Sequence, residues 1–393
     1  MPKDKIFNLP KNVFFAGLTS FFNDFSSEMI LSIFPAFFKA VLHSGAASLG
    51  LVEGLAEASA NFFKIFSGKL SDKINKRKIF AVLGYGLSTI VRPFYIIAGN
   101  IGAVMGLRLT DRVGKGLRDA PRDALISLST PTEDLGKAFG FHRALDTAGA
   151  VLGPLVAYFI LKKLPNSFNT VFITAFIIGI LGVISFLFVS EVVVNIEQVK
   201  KSWGRLSDLS YQYKTYLLST FILACGALPI AVLLLHTQDV GFKLADIPLF
   251  YMMYNLAYAI FSIIAGKLAD KIGDVLVLIL GYICLLVGYL LFNFYNSVTA
   301  LVSGFVIIGL FSAFTDSTTR SYAGRITKPE NRGLAFDYIN GAAGFGVLIS
   351  GIGGGYTWQY LGDSVALIIG AVITIIGLIL LMFTQIAPKQ KII

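Results

Sequence analysis

Apolar runs of about twenty residues recur along the chain, among them 79–99, 168–189, 275–294 and 364–383. A helix rises about 1.5 Å per residue, so each run can cross a hydrocarbon core about 30 Å thick. Inside a bilayer no water satisfies backbone groups, which leaves only helices and closed barrels as spanning structures. A barrel would read as alternating strands of about ten residues, and that alternation is absent. The runs therefore predict an all-α polytopic membrane protein. The charge content agrees, at 14% against about 25% in a soluble domain.

Twelve helices are predicted, at about 12–40, 46–70, 79–99, 101–126, 136–161 and 168–190, then 215–236, 246–269, 274–294, 297–322, 333–358 and 364–386. Basic residues gather in the loops on one side: Lys69, Lys73, Lys76, Arg77 and Lys78 after the second helix; Lys200, Lys201, Arg205 and Lys214 in the centre; Arg325, Lys328 and Arg332 after the tenth; Lys389 and Lys391 at the end. Lys39, Lys162, Lys163 and Lys243 are the few on the other side. Under the positive-inside rule both termini are cytoplasmic. The same rule accounts for the net charge of +10 without invoking nucleic acid. Lys3, Lys5 and Lys11 precede a full span with no small-residue cleavage site, which predicts a first transmembrane helix and not a signal peptide. Cys225 and Cys284 lie in apolar segments and suggest packing, with no disulfide or metal framework.

The chain repeats itself. GKLSDKI at 68–74 returns as GKLADKI at 266–272, an offset of 198 residues. Gly136, Ala138 and Phe139 match Gly333, Ala335 and Phe336 at an offset of 197, which Asp119 and Asp316 share. Two matches separated by about half the chain predict a duplicated six-helix unit: an N-terminal bundle 1–190, a polar cytoplasmic linker 191–214, and a C-terminal bundle 215–393. Parallel repeats of this kind are a transporter architecture with the substrate site between the halves.

The stretch 108–123, RLTDRVGKGLRDAPRD, places Arg108, Asp111, Arg112, Lys115, Arg118, Asp119, Arg122 and Asp123 along one helical face. On a soluble helix this would be a solvated face. Here it falls in a predicted span, with Pro121 expected to distort the helix and Gly114 and Gly116 to permit close packing.

Over nearly its whole length the sequence resembles the major facilitator superfamily of transporters. The family's loop motif, Gly-x-x-x-Asp-Arg/Lys-x-Gly with basic residues after it, stands as Gly68, Asp72, Lys73, Asn75, Lys76, Arg77 and Lys78. Asn75 replaces the glycine, and asparagine tolerates a left-handed turn. The second copy keeps Gly266, Asp270, Lys271 and Gly273 and loses the basic tail to Asp274 and Val275. The fifth-helix motif Gly-x-x-x-Gly-Pro stands as Gly149, Gly153 and Pro154, with Ala157 and Tyr158 where a further glycine pair belongs. The fourth-helix Arg and Gly stand as Arg112 and Gly116. The resemblance implies two pseudo-symmetric six-helix bundles, a cavity lined by the first and fourth helices, and, from the fifth-helix motif, export in exchange for protons. Asp111–Asp123, with Asn23, Asp24, Ser26, Ser27 and Glu28, is similar to a prokaryotic subgroup of unassigned substrate.

An intramembrane charge costs roughly 3 kcal/mol or more and marks a functional site. Asp24 and Glu28 lie four apart; Glu53, Glu57, Asn61 and Lys64 share a face of the second helix; His142, Arg143 and Asp146 precede the glycine motif. Asp24 is about 18 Å into its helix at 1.5 Å per residue, and Glu57, Asp111, Arg112 and Asp146 reach similar depth. The coupling and substrate candidates are Asp24, Glu28, Glu57, Asp111, Arg112 and Asp146, with Tyr251 and Asn255, beside Tyr254 and Tyr258, from the other half. A low-dielectric site strengthens a carboxyl's hold on its proton and an arginine weakens it, so movement of Arg112 against Asp24 and Glu28 would switch protonation. Buried ion pairs that hold the bundle together are the alternative for Asp24, Glu53, Lys64 and Asp146. The cytoplasmic gate candidates are Gly68, Asp72, Lys73, Lys76, Arg77, Arg118, Asp119, Arg122 and Asp123. His43 and His236 read as surface residues near the outer face. Gly344, Gly346, Gly351 and 353–355 suit close approach or a moving helix. Val113-Gly114-Lys115-Gly116 lacks the glycine spacing of a phosphate loop, and no enzyme motif is present.

The expectation is a monomeric, cofactor-free secondary transporter of the prokaryotic inner membrane that moves a small organic solute, with protons as coupling ion and export as direction. Its rivals are uptake of an organic anion read by Arg112, Arg118 and Arg143; a divalent metal or metal-chelate carrier using Asp24, Glu28, Glu53 and Glu57 as oxygen ligands; and a transporter-fold sensor, for whose signalling domain the linker and tails leave no room.

Overall fold

In the computed structural model, residues 5–192 and 205–386 are described. Lys3, Lys200, Lys201, Lys389, Lys391 and much of the expected linker lie outside them. A short hairpin pairs Lys5–Ile6 with Leu9–Pro10, turned by Phe7 and Asn8 at positive φ of 49° and 61°. Positive φ at both central residues is the backbone that two-residue hairpins use. The helices follow in the predicted order: α1 (Lys11–Ala40), α2 (Ala46–Ile74), α3 (Arg77–Ile90), α4 (Ile101–Leu128), α5 (Leu135–Lys163), α6 (Phe168–Leu187), α7 (Tyr211–Gly226), α8 (Ile230–Asp239), α9 (Ile247–Ile272), α10 (Asp274–Phe294), α11 (Val298–Arg325), α12 (Arg332–Ile349), α13 (Gly355–Leu361) and α14 (Asp363–Ile386).

Among the described residues, nine helical segments are long and apolar enough to cross a membrane. The long helices outside that set are α1, α2 and α4, which carry most of the intramembrane charges. The protein is a multi-pass membrane protein with an all-α fold.

Three predicted helices are interrupted. The third ends early and continues as the 3-10 turn Arg92–Ile97, with Pro93 in its first turn, where proline supplies no backbone donor. The seventh breaks at 227–229 into α7 and α8. The freed backbone groups there are satisfied by side chains, as the membrane interior demands. Tyr289 donates its hydroxyl hydrogen to the Gly226 carbonyl at 3.0 Å and accepts from the Leu228 N–H at 2.7 Å. Ser350 donates to the Ala227 carbonyl at 2.8 Å. The eleventh passes from α12 through the π-helical turn Ser350–Gly354 into α13. Pro121, by contrast, does not interrupt α4, which runs unbroken from Ile101 to Leu128. The expected distortion stops short of a break.

The chain folds into two compact units: one of Met1–Ser44, Ser59–Ile196 and Gly241–Met252, the other of Gly45–Ala58, Glu197–Val240 and Met253–Ile393. In the first, α1 packs on α5 and α6, α3 packs on α4, and the 3-10 turn lies against α6. Phe34, Phe37, Phe172 and Tyr95 form its aromatic core, with Tyr95 stacked on Phe172 at 5.3 Å. In the second, α7 packs on α12 and α14, and α10 on α11 and α14. The first turns of α2 also belong to that unit. A Cβ at Gly355 would meet the Ala46 carbonyl at 2.5 Å, and one at Gly351 would collide with the Gly50 carbonyl. The glycines of the eleventh span thus permit backbone-to-backbone contact, the close approach expected of them.

Asn75 takes the left-handed φ of 56° in the first loop motif, and Gly273 takes 93° at the matching place in the second. Both copies take a positive φ at the matching position, met once by asparagine and once by glycine.

Candidate functional site

The site begins with the glycines of α5. A Cβ at Gly149 would collide with the Phe21 carbonyl, and one at Gly153 would stand 2.5 Å from that of Phe25. Helices α1 and α5 therefore approach closely at this level. Asp24, between the two phenylalanines on α1, meets Asp146, less than one turn before Gly149 on α5. The two carboxyl groups lie within electrostatic reach of each other. Two ionised carboxylates so placed repel each other, and a proton held between them would relieve that. Each carboxyl also has donors of its own. Ser20 gives Asp146 a hydrogen bond of 2.5 Å and Arg143 pairs with it at 3.1 Å, while the Asn23 amide donates to Asp24 at 3.2 Å. Both acids stay partly exposed.

One turn along α1, Glu28 accepts a short hydrogen bond from the Tyr251 hydroxyl of α9. Arg112, Lys115 and Arg108 of α4 lie within electrostatic reach of that carboxylate. Arg108 pairs with Asp111 at 3.1 Å and sits 5.1 Å over the Phe34 ring. Asp111 and Arg112 are both buried. The structure thus brings Asp24, Glu28, Asp111, Arg112, Asp146 and Tyr251 into the first unit. Glu57 and Asn255 fall in the second, Glu57 partly buried and Asn255 buried. Of the aromatic set on α9, Tyr254 and Tyr258 stack with ring centroids 6.4 Å apart and both reach α11, Tyr254 bonding Ser312 at 2.9 Å and Tyr258 donating to Asp316 at 2.5 Å. Among the described residues no three His, Cys, Asp or Glu side chains gather into a metal-binding group.

The lower stripe of α4 forms a charged network with α2. Asp119 lies 4.0 Å from Lys64 and 3.4 Å from Arg122, and Arg122 pairs with Asp123 at 2.8 Å. Gly68 and Gly116 let the helices approach, since a Cβ at Gly116 would stand 2.6 Å from the Ala60 carbonyl and one at Gly68 3.3 Å from the Ala120 Cβ. Ser67 donates to the Gly116 carbonyl at 2.8 Å. Arg118, expected near the surface with the loop motif, turns inward instead. It is buried, donates to Ser88 at 2.6 Å and stacks 4.8 Å over Tyr85. Position 118 falls on the side of α4 that packs against α3, where Gly84 and Gly114 bring the backbones together. In the loop motif, Arg77 pairs with Asp72 at 3.0 Å and bonds Asn75, and Lys73 and Lys76 flank that turn. In the second copy the lost basic tail is replaced from another helix: Arg325 of α11 reaches Asp270 at 2.7 Å and Asp274 at 3.1 Å.

His236 is a correction. It is not a surface residue but is buried, 3.0 Å from Asp363 and packed on Phe292 and Trp358. The break before α8 sets that face of the helix inward, which a straight-helix reading could not show. Three contributors escaped the sequence reading. Ser20 lies one turn before Asp24. Glu191 accepts the first backbone N–H groups of α3, from Arg77 and Lys78, at 3.0 and 2.8 Å. Arg92 is an arginine within an apolar run; its position before Pro93 was the available signal.

A duplicated helical membrane fold with paired charges within its first, fourth and fifth helices is the build of a secondary transporter. The chain belongs to the Major Facilitator Superfamily, which it matches over residues 16–224 and 215–392. It is 36% identical to an uncharacterised MFS-type transporter of Methanocaldococcus jannaschii, with 95% of each chain covered. It is 21% identical to multidrug resistance protein 2 of Bacillus subtilis, over 79% of this chain and 78% of that protein. Among solved structures it resembles a POT family transporter in complex with 5-aminolevulinic acid, with a TM-score of 0.81, 14% identity and 99% of both chains covered. The protein is a transporter of small molecules and not an enzyme.

Proposed function

We propose that the protein exports a small organic solute across the prokaryotic inner membrane in exchange for protons, by alternating access, as a monomer with both termini cytoplasmic. The observation that carries this reading is the contact of α1 and α5 at Gly149 and Gly153, across which Ser20 of α1 donates to Asp146 and Asp24 comes within electrostatic reach of it. Two acids on separate helices that hold one proton between them lose it, or gain a second, when the helices shift or a cation arrives. Glu28, held by Tyr251 and facing Arg112, is the second coupling carboxylate. The multidrug resistance protein among the relatives and the glycine motif of α5 favour export. The bundles 1–190 and 215–393 are the moving parts. Asp72, Lys73, Lys76 and Arg77, with Asp119, Arg122 and Asp123, form the cytoplasmic gate, for which Arg118 supplies a buried anchor.

The test is transport in proteoliposomes with an imposed pH gradient, using a panel of organic cations and anions that begins with ethidium. Proton-driven solute movement with counter-flow of protons is expected, and Asp24→Asn and Asp146→Asn should uncouple it. Transport by Asp24→Asn with unchanged pH dependence would remove the coupling assignment. Co-directional movement of an anion with protons would replace export by uptake.

A further inference from the structure

Arg92 has no part in the coupling reading, yet it is among the most buried side chains of the protein, at 1% exposure. It opens the 3-10 turn after α3, and its guanidinium lies on the buried face of α1. One nitrogen donates to Asn23 Oδ1 at 3.0 Å, another to Ser26 Oγ at 2.5 Å. Ser26 passes its own hydrogen to the Ala175 carbonyl of α6. Room for the guanidinium is made by Gly179, where a Cβ would collide with the same nitrogen that reaches Ser26.

This contact fixes Asn23. A guanidinium donates and never accepts, so the Asn23 amide must turn its oxygen to Arg92 and its nitrogen away. The nitrogen is the atom that donates to Asp24 Oδ1 at 3.2 Å. An amide flip would set donor against donor in a buried place, at the full cost of an unsatisfied group. We infer that Arg92 and Asn23 are positioning residues for proton coupling. Arg92 locks the Asn23 amide so that a donor always faces Asp24, which sets how firmly the Asp24–Asp146 pair holds its shared proton.

The inference rests on the proton-coupling reading of that pair. The charged groups that face Asp24 are Asp146 of α5, Glu28 on its own helix, Lys115 of α4 and Arg92. Asp146 faces Arg143, His142 and Arg122 in turn. Helix α6, which packs on the same helix, carries no charged residue over 168–187. A donor and a fixed positive charge both favour ionised Asp24. Loss of either leaves the pair holding its proton to higher pH.

The experiment reads the proton directly. The carboxylic acid band of the purified protein in lipid nanodiscs is followed by infrared spectroscopy against pH, and the part removed by Asp24→Asn or Asp146→Asn is assigned to the pair. In Asn23→Leu, which keeps the volume and removes the donor, the midpoint of that band should rise by about one pH unit, a tenfold tighter hold on the proton. Arg92→Gln should do the same. Arg92→Lys, which keeps the charge but not the two-pronged contact, should shift it less, and it decides the question if either other variant fails to fold. An unchanged midpoint in Asn23→Leu or Arg92→Lys, with the band still lost in Asp24→Asn, overturns the positioning role and leaves the coupling reading intact. A band that survives both Asp24→Asn and Asp146→Asn removes the shared proton, and the coupling reading falls first.

Discussion

A Cβ on Gly153 would stand 2.5 Å from the carbonyl oxygen of Phe25; at this point α1 and α5 touch backbone to backbone. The approach sets Asp24 and Asp146 within reach of each other, so the glycine motif and the acid pair are parts of one contact. Gly153→Val should push the helices apart. Overpacking of this kind costs about 1–3 kcal/mol, which thermal unfolding of the detergent-solubilised protein would register. The carboxylic acid band of the pair should fall as well. A variant of wild-type stability with the band intact would separate the motif from the acids.

Tyr251 should matter for transport more than for folding. Its hydroxyl donates to Glu28, and such a bond contributes about 0.5–1.5 kcal/mol net. Tyr251→Phe is expected to fold with nearly wild-type stability and to transport at least severalfold more slowly. Glu28→Gln keeps an acceptor for Tyr251 but cannot ionise, so it should lose the pH dependence as well as the rate. Wild-type initial rates and pH profile in Tyr251→Phe liposomes would dismiss the contact.

The two partners of Arg325 should respond unequally. Asp270 is 73% exposed beside a half-exposed arginine, and such a pair is worth about 0–1 kcal/mol. Asp274 is 3% exposed, and Arg325 reaches it at 3.1 Å. Asp270→Ala should therefore leave unfolding within about 1 kcal/mol of wild type. Arg325→Ala, which takes a partner from a buried carboxylate, should cost about 1–3 kcal/mol. Equal effects on the unfolding midpoint would refute the assignment.

His236 and Asp363 offer a similar contrast. The histidine ring is buried among Phe292 and Trp358, while the carboxylate is 38% exposed. Removal of the ring leaves a void, so His236→Ala should cost about 2–4 kcal/mol. Asp363→Asn retains a hydrogen-bonding group at the surface and should cost about 1 kcal/mol or less. Thermal unfolding of the two variants side by side decides between them.

The sequence by itself determined the class and the order of the helices. Twenty-residue apolar runs admit only spanning helices, since the bilayer leaves backbone groups no other partner. The repeats at 68–74 and 266–272 declared the duplication, and the charges in α1, α4 and α5 marked themselves by their cost in an apolar chain. Local chemistry was legible too: Asn75 takes the left-handed turn because a short polar side chain tolerates it.

Only the tertiary structure decided which charge meets which. A helix presents side chains on every face, and the choice of neighbour depends on crossing geometry and small-residue contacts that spacing does not encode. Asp24 and Asp146 lie 122 positions apart and pair because Gly149 and Gly153 admit a backbone. Arg118 turned inward against Ser88 and Tyr85 for the same reason at Gly84 and Gly114. His236 went from surface to core because the chain breaks at 227–229, with the open backbone groups met by Tyr289 and Ser350 from distant helices. Arg92 showed in sequence only as a charge out of place. Its grip on Asn23 exists because α1, α6 and the turn after α3 converge on one buried point.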